Sequence, residues 1–235
     1  KNIEKMYNDN YVEFKKERDL GAIISDTFKF LRLEWKPFFT AILKTAMLPL
    51  LITIGASMFF MYTMSGMFGS LDPYAASYEQ TDFNAGFFFI MVIFLILFSL
   101  ITYVIVNITA LYYIKSYVDN KGTVDYEMIK QQVKDKFWSF TGLGILTILI
   151  VFASALLCFF PAFYTGVVLT LAAPILVFEN RTVSDTVGYA FSFFKGGHWW
   201  PTFGVMIVVG IIVNVISYIF SIPAVIYYFV KMGTV

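Results

Sequence analysis

Cysteine is almost missing from this chain: Cys158 is the only one, so neither an intrachain disulfide nor a cysteine-based metal cage can form. Histidine is equally scarce, with His198 alone, and no HExxH, paired-cysteine or glycine-rich phosphate signature occurs. Charge is thin as well. Only 14% of residues are charged, against roughly 25% in an ordinary soluble domain. The 17 basic and 16 acidic side chains leave a net charge of +1, which offers no basic excess to a nucleic-acid partner. What is abundant is apolar, with 59% hydrophobic and 20% aromatic residues. That composition excludes disorder and an ordinary water-soluble fold, and makes the bilayer the solvent to consider.

A hydrocarbon core about 30 Å thick takes roughly 20 apolar residues in a helix, and five runs qualify. Pro37 to Phe68 contains one charge, Lys44, and is long enough to tilt or protrude. Ala85 to Ile114 has no charge. Ser139 to Phe160 and Ala162 to Phe178 flank Pro161 as a tight helical hairpin, and Pro201 to Ile222 leads into Pro223, which bends the helix before Val230. The fold class this predicts is an all-α polytopic helical bundle. It is a single membrane domain over 1–235, with 1–36 as a cytoplasmic N-terminal segment and 37–235 carrying spans and loops.

Basic residues set the orientation. Eight Lys and Arg precede the first span and five lie between the second and third, whereas none separates the first from the second or the third from the fourth. The positive-inside rule then places the N-terminus and the loops Lys115–Trp138 and Glu179–Trp200 in the cytoplasm. The outer loop carries only acids, Asp72, Glu79 and Asp82, which as a solvated loop bind a cation weakly at most. Lys1–Lys36 lacks the continuous apolar core of a signal peptide, so the first span acts as its own insertion signal.

Apolar residues recur at helical spacing before three spans: Ile24, Phe28, Leu31 and Trp35; Tyr126, Ile129, Val133 and Phe137; and Val183, Val187, Ala190 or Phe191, and Phe194. Lys29, Arg32 and Lys36 form the polar side of the first, and Lys130, Lys134 and Lys136 that of the second. Such helices either lie in the headgroup layer or pack under their own bundle. Tryptophan follows each as an interfacial anchor: Trp35, Trp138, and the pair Trp199 and Trp200. Two open alike, Ile24-Ser25-Asp26-Thr27 and Val183-Ser184-Asp185-Thr186, with Ser as a cap and Asp in the first turn. The repeating unit is one amphipathic helix followed by two spans. Three units need six spans, so the native product is expected to continue past Val235.

Pro174-Ile-Leu-Val-Phe-Glu179-Asn180-Arg181, then Ser184-Asp185 to Ser192, Lys195-Gly196 and Trp199, resembles a pattern in six-span membrane domains. These are grouped with the glycerophosphodiester phosphodiesterase membrane domain and YciC-like bacterial proteins. The opening Glu17-Arg18-Asp19-Leu20-Gly21 and the repeated Ser-Asp-Thr are similar to Bacteroidota members. The resemblance covers about thirty residues closely and implies the fold. The soluble phosphodiesterase domain that some relatives carry has no counterpart here, so its reaction does not transfer. What the resemblance implies about partners is other small membrane proteins and a MoxR-type ATPase system.

Catalysis needs a nucleophile with its base, a metal cluster or a paired carboxylate, and no such set stands out, so no catalytic, cofactor-binding or metal residues are expected. His198 sits in Gly196-Gly197-His198-Trp199-Trp200-Pro201 and reads as an interfacial ring. Polar residues inside spans are more informative. Lys44 and Asn107 have equal depth from one membrane face, and Glu179 ends the fourth span on that side, so the three are expected around a cytoplasm-facing vestibule. The other possibility is that Lys44 snorkels while Asn107, like Asn214 in the fifth span, bonds at a helix contact. Thr45 and Thr170 precede Pro49 and Pro174 by four residues, placing a hydroxyl where each proline removes a helix bond and kinks the span. The function expected is a non-enzymatic scaffold or accessory subunit of a bacterial inner-membrane protein complex, among membrane lipids and other integral membrane proteins. The alternative is a transporter or lipid-handling protein with a cavity between kinked spans.

Overall fold

Asp19 starts the first helix, accepting the Ala22 N–H on Oδ1 at 2.7 Å as a side-chain cap. In the computed structural model, which describes residues 11–14, 16, 18–69 and 85–233, this helix, α1, runs Leu20–Gly69 without interruption. After it come α2 (Ala85–Asp119), α3 (Tyr126–Leu157), α4 (Phe159–Leu169), α5 (Ala172–Phe178), α6 (Val183–Phe194) and α7 (Trp199–Gly233), with no strand among the described residues. Five stretches, α1, α2, α3, α4 with α5, and α7, are long and apolar enough to cross a membrane. The chain is an all-α polytopic membrane bundle, as its composition predicts.

The boundaries differ from expectation in ways that follow from local chemistry. No separate interfacial helix precedes the first span, because α1 passes through both Pro37 and Pro49. Its 50 residues at about 1.5 Å each make a rod of about 75 Å, well beyond the roughly 40–45 Å of a bilayer with its headgroups. α3 also joins its amphipathic part to its span, starting at Asp125, whose Oδ1 accepts from the Glu127 and Met128 N–H groups at 3.0 and 3.1 Å. Only α6 is set apart from the span that follows, by the turn containing Gly197 at φ +86°, a conformation that costs glycine nothing.

The hairpin turns at Cys158, in extended backbone, three residues before the expected Pro161. Pro161 falls instead in the first turn of α4, where a missing N–H has no intrahelical acceptor to leave unpaired. The fourth span breaks at Thr170–Leu171, since Pro174 has no N–H for the Thr170 carbonyl. Pro49 makes the same omission in α1 without a break. There, hydroxyl pairs clamp α1 to α2 on both sides of the proline: Thr45 to Thr109 and Thr53 to Thr102, each at 2.9 Å. The expected covering of the proline gaps by Thr45 and Thr170 is not what forms. Thr45 Oγ1 lies 2.9 Å from the Ala41 carbonyl and Thr170 Oγ1 donates to that of Val167 at 2.7 Å.

The core sits at one end of the bundle, where α1 begins, α2 ends and α3 begins; its lysines and arginines make it the basic end. Phe30 and Ala41 of α1, Ile108, Tyr112, Tyr113 and Tyr117 of α2, and Ile129, Phe140 and Leu143 of α3 are buried together. The predicted stripe of α1 lies about 120° around the helix from that packed face, leaving Phe28 50% and Trp35 52% exposed. The stripes of α3 and α6 turn inward instead: Ile129, Val133 and Phe137 join the core, and Val183, Val187 and Phe191 flank it. Those two amphipathic segments pack under their own bundle. Thr182, rather than Ser184, caps α6, accepting the Asp185 N–H at 3.3 Å while donating to Asp185 Oδ2 at 2.6 Å. Ser25 likewise caps nothing, because α1 starts five residues earlier, and Asp26 pairs with Arg18 at 2.5 Å. The two Ser-Asp-Thr segments do share one bond, from Thr27 to the Ile23 carbonyl and from Thr186 to the Thr182 carbonyl, both 2.7 Å.

Candidate functional site

The basic end brings most of the chain's described polar contacts together, and α2 supplies its axis. Tyr113, fully buried, donates to Glu34 Oε2 at 2.7 Å. Tyr117, also buried, accepts the Val12 N–H at 3.1 Å. The Tyr11 ring stacks on Tyr117 at 5.4 Å and Phe14 meets it edge-on at 6.1 Å, so the segment before α1 folds over the end of α2. Burial pushes the Tyr11 phenol up from its ordinary value, with Glu13 and then Asp119 adding to the shift. Arg18 holds that segment by donating to the Phe14 carbonyl at 3.0 Å and to the Glu13 carbonyl.

Lys115 ties the fourth span to this end. Its ammonium donates to the Val177 carbonyl at 2.7 Å and to Asn180 Oδ1 at 3.1 Å, and lies 5.8 Å from the Tyr112 ring centre. The carbonyls of the last helical turn have no intrahelical donor, and a cation is favoured where the helix dipole is negative. Asn180 follows α5 at φ +49°, the left-handed conformation that Asn tolerates best after Gly. Arg181 then covers the Tyr189 ring at 4.0 Å. The α2–α3 turn leaves a shallow open depression lined by Asn120, Thr123, Asp125 and Glu127 among others. Among the described residues no group of three His, Cys, Asp or Glu side chains converges.

The three expected vestibule residues are not joined to one another by a hydrogen bond or ion pair. Lys44 is exposed, with Nζ 5.5 Å from the Tyr126 ring centre. Asn107 donates to the Tyr103 carbonyl of its own helix at 2.9 Å. Glu179 is the exposed residue closing α5, its N–H donating to the Ile175 carbonyl at 3.0 Å. Asn214 is used like Asn107, donating to Gly210 in its own helix at 2.8 Å. Trp138 and Trp200 are 78% and 72% exposed, as anchors in lipid would be. Trp199 instead packs inside, stacked on Phe203 at 5.1 Å and Tyr164 at 6.0 Å, with its Nε1 buried and unpaired. Asp72, Glu79 and Asp82 lie outside the described residues. Compared with known proteins, the chain matches no family model, no curated sequence and no solved structure.

The residues that pattern reading missed are Glu34, Tyr113, Tyr117 and Lys115. For the last three the one visible signal is the run Tyr112-Tyr113-Ile114-Lys115-Ser116-Tyr117 at the end of an otherwise uncharged span, polar-tipped side chains where an apolar body meets a wet boundary; Glu34 has none.

Proposed function

We propose that the chain is a non-enzymatic scaffold or accessory subunit of a bacterial inner-membrane complex, with its N-terminus and basic end in the cytoplasm. The observation that carries this reading is α7. From Trp200 to Pro223 no residue is buried, and among the described residues α7 packs chiefly on α4, through Trp199 and Phe203 at its start. A long apolar helix held by its first turns presents most of the stretch from Ile207 to Pro223 to other membrane helices. On α1, the open Phe28 and Trp35 beside Lys29, Arg32 and Lys36 suit anionic headgroups. The resemblance in the segment ending at Trp199 supports companions of the kind found there, small membrane proteins and a MoxR-type ATPase system.

The test is purification from native membranes in mild detergent, with mass spectrometry of whatever accompanies the chain. Stoichiometric membrane-protein companions are expected. A lone chain, with nothing cross-linked to it in cells, overturns the scaffold reading. The break at Thr170–Leu171 supports the competing reading, transport or lipid handling, and a lipid retained between spans of that lone chain would favour it.

A further inference from the structure

The last charge on α1 has no ionic partner. From Thr45 to Met64 the helix carries no charge, and at about 1.5 Å per residue that stretch matches a hydrocarbon core about 30 Å thick. Lys44 therefore stands at the edge of the core, where lipid phosphates begin. Among the described residues the only ion pair is Arg18 with Asp26. Lys44 is exposed, and its ammonium has the Tyr126 ring at 5.5 Å but, among the described residues, no hydrogen-bond acceptor.

Two ridges run side by side along α1 at this depth. Lys36, Thr40 and Lys44, at i, i+4 and i+8, are exposed on the first. Among the described residues neither lysine meets a carboxylate and the Thr40 hydroxyl has no hydrogen-bond partner. Phe39, Leu43 and Met47 form the second ridge at the same spacing, each more than half exposed, and it continues into the uncharged stretch as Leu51. The start of α3 flanks the polar ridge. Tyr126 donates to the Pro37 carbonyl at 3.3 Å, and Lys130, one turn further along α3, is exposed. Of the carboxylates nearby, Asp125 caps α3, and Glu127 is set about 100° around that helix from Tyr126.

We propose that this seam binds an anionic phospholipid of the leaflet on the basic side, its phosphate on Lys36, Thr40, Lys44 and Lys130 and its acyl chains along Phe39, Leu43 and Met47. Basic clusters beside membrane helices on the cytoplasmic side take anionic headgroups in this way. A soluble anion would use the polar ridge and leave the apolar one bare. A zwitterionic lipid would bring its own ammonium to three that already lack a counter-charge. The site deepens the headgroup contact assigned to α1, and rests on the scaffold reading only for the leaflet it faces.

The experiment reconstitutes the full chain in vesicles of phosphatidylethanolamine and phosphatidylglycerol in equal amounts, extracts it in mild detergent and identifies the lipids it retains by native mass spectrometry. Phosphatidylglycerol is expected in excess. Lys36→Gln and Lys44→Met are each expected to cut that excess about fivefold. Lys44→Arg, which keeps the charge, and Lys195→Gln, which removes one from the end of α6, are expected to preserve it. Inorganic phosphate, compared with chloride at the same ionic strength, is expected to leave the lipid bound. Equal retention of the two lipids by the parent chain, an equal loss in Lys195→Gln, or displacement by inorganic phosphate overturns the site. Selective retention by a chain that brings no companions out of native membranes upholds the site while the scaffold reading fails; companions without lipid selectivity give the reverse.

Discussion

Replacing Tyr117 with alanine is expected to cost about 3–5 kcal/mol, in the range for removing a buried aromatic ring. Tyr117 is 1% exposed and contacts Tyr11, Phe14 and Phe30, the last at 5.1 Å. Its hydroxyl takes the Val12 N–H. One truncation therefore opens a cavity at the end of α2 and leaves a backbone donor unpaired. It also releases the segment that crosses over the start of α1. Tyr117→Phe keeps the ring and loses only the bond to Val12, so about 1 kcal/mol is expected. Thermal unfolding in detergent gives the first pair of numbers, and limited proteolysis ahead of Asp19 reports the release. Tyr117→Ala within about 1 kcal/mol of the parent would mean that this end is not the core.

Lys115→Met is expected to cost about 2–3 kcal/mol, the upper range for hydrogen bonds to a charged group. Methionine reproduces the stem but donates nothing, so the Val177 carbonyl and Asn180 Oδ1 both lose their donor. Hydrogen exchange should rise around Val177–Arg181 while α1 stays protected. Lys44→Met is the control. Lys44 lies over a tyrosine ring on an exposed position, an interaction of about 0.5–1 kcal/mol. Equal losses from the two substitutions would refute the assignment of Lys115 as the tie between the second and fourth spans.

These two lysines show where pattern reading stops. The spans were legible because twenty apolar residues have few other uses, whereas a missing donor marks Pro49 and Pro174 alike as kinks and the helix breaks only before Pro174. Lys44 is conspicuous inside a span, whereas Lys115 reads in the sequence only as the first charge of a loop. Hydropathy ranks residues by depth. It does not encode rotation about a helix axis, nor that a helix ending in left-handed Asn180 leaves a carbonyl open to a neighbouring ammonium. Continuity was hidden for a related reason: Pro37 and Pro49 look like breaks in a list of residues, but packing on either side holds α1 together. The Phe28 and Trp35 stripe was legible as apolar. That it faces away from the core required knowing that Phe30 and Ala41 face Tyr113 and Tyr117.

The position of the basic end relative to the membrane is tested most directly by thiol labelling in intact cells. In the Cys158→Ser background, one variant carries Gln131→Cys on α3, and another carries Ser77→Cys, between α1 and α2 and outside the described residues. An impermeant maleimide added outside is expected to label the Ser77→Cys variant and to reach the Gln131→Cys variant only after the cells are opened. Labelling of Gln131→Cys from outside, with Ser77→Cys protected, would place the core, Lys115 and the aromatic cover of Tyr117 on the outer face and contradict the cytoplasmic scaffold.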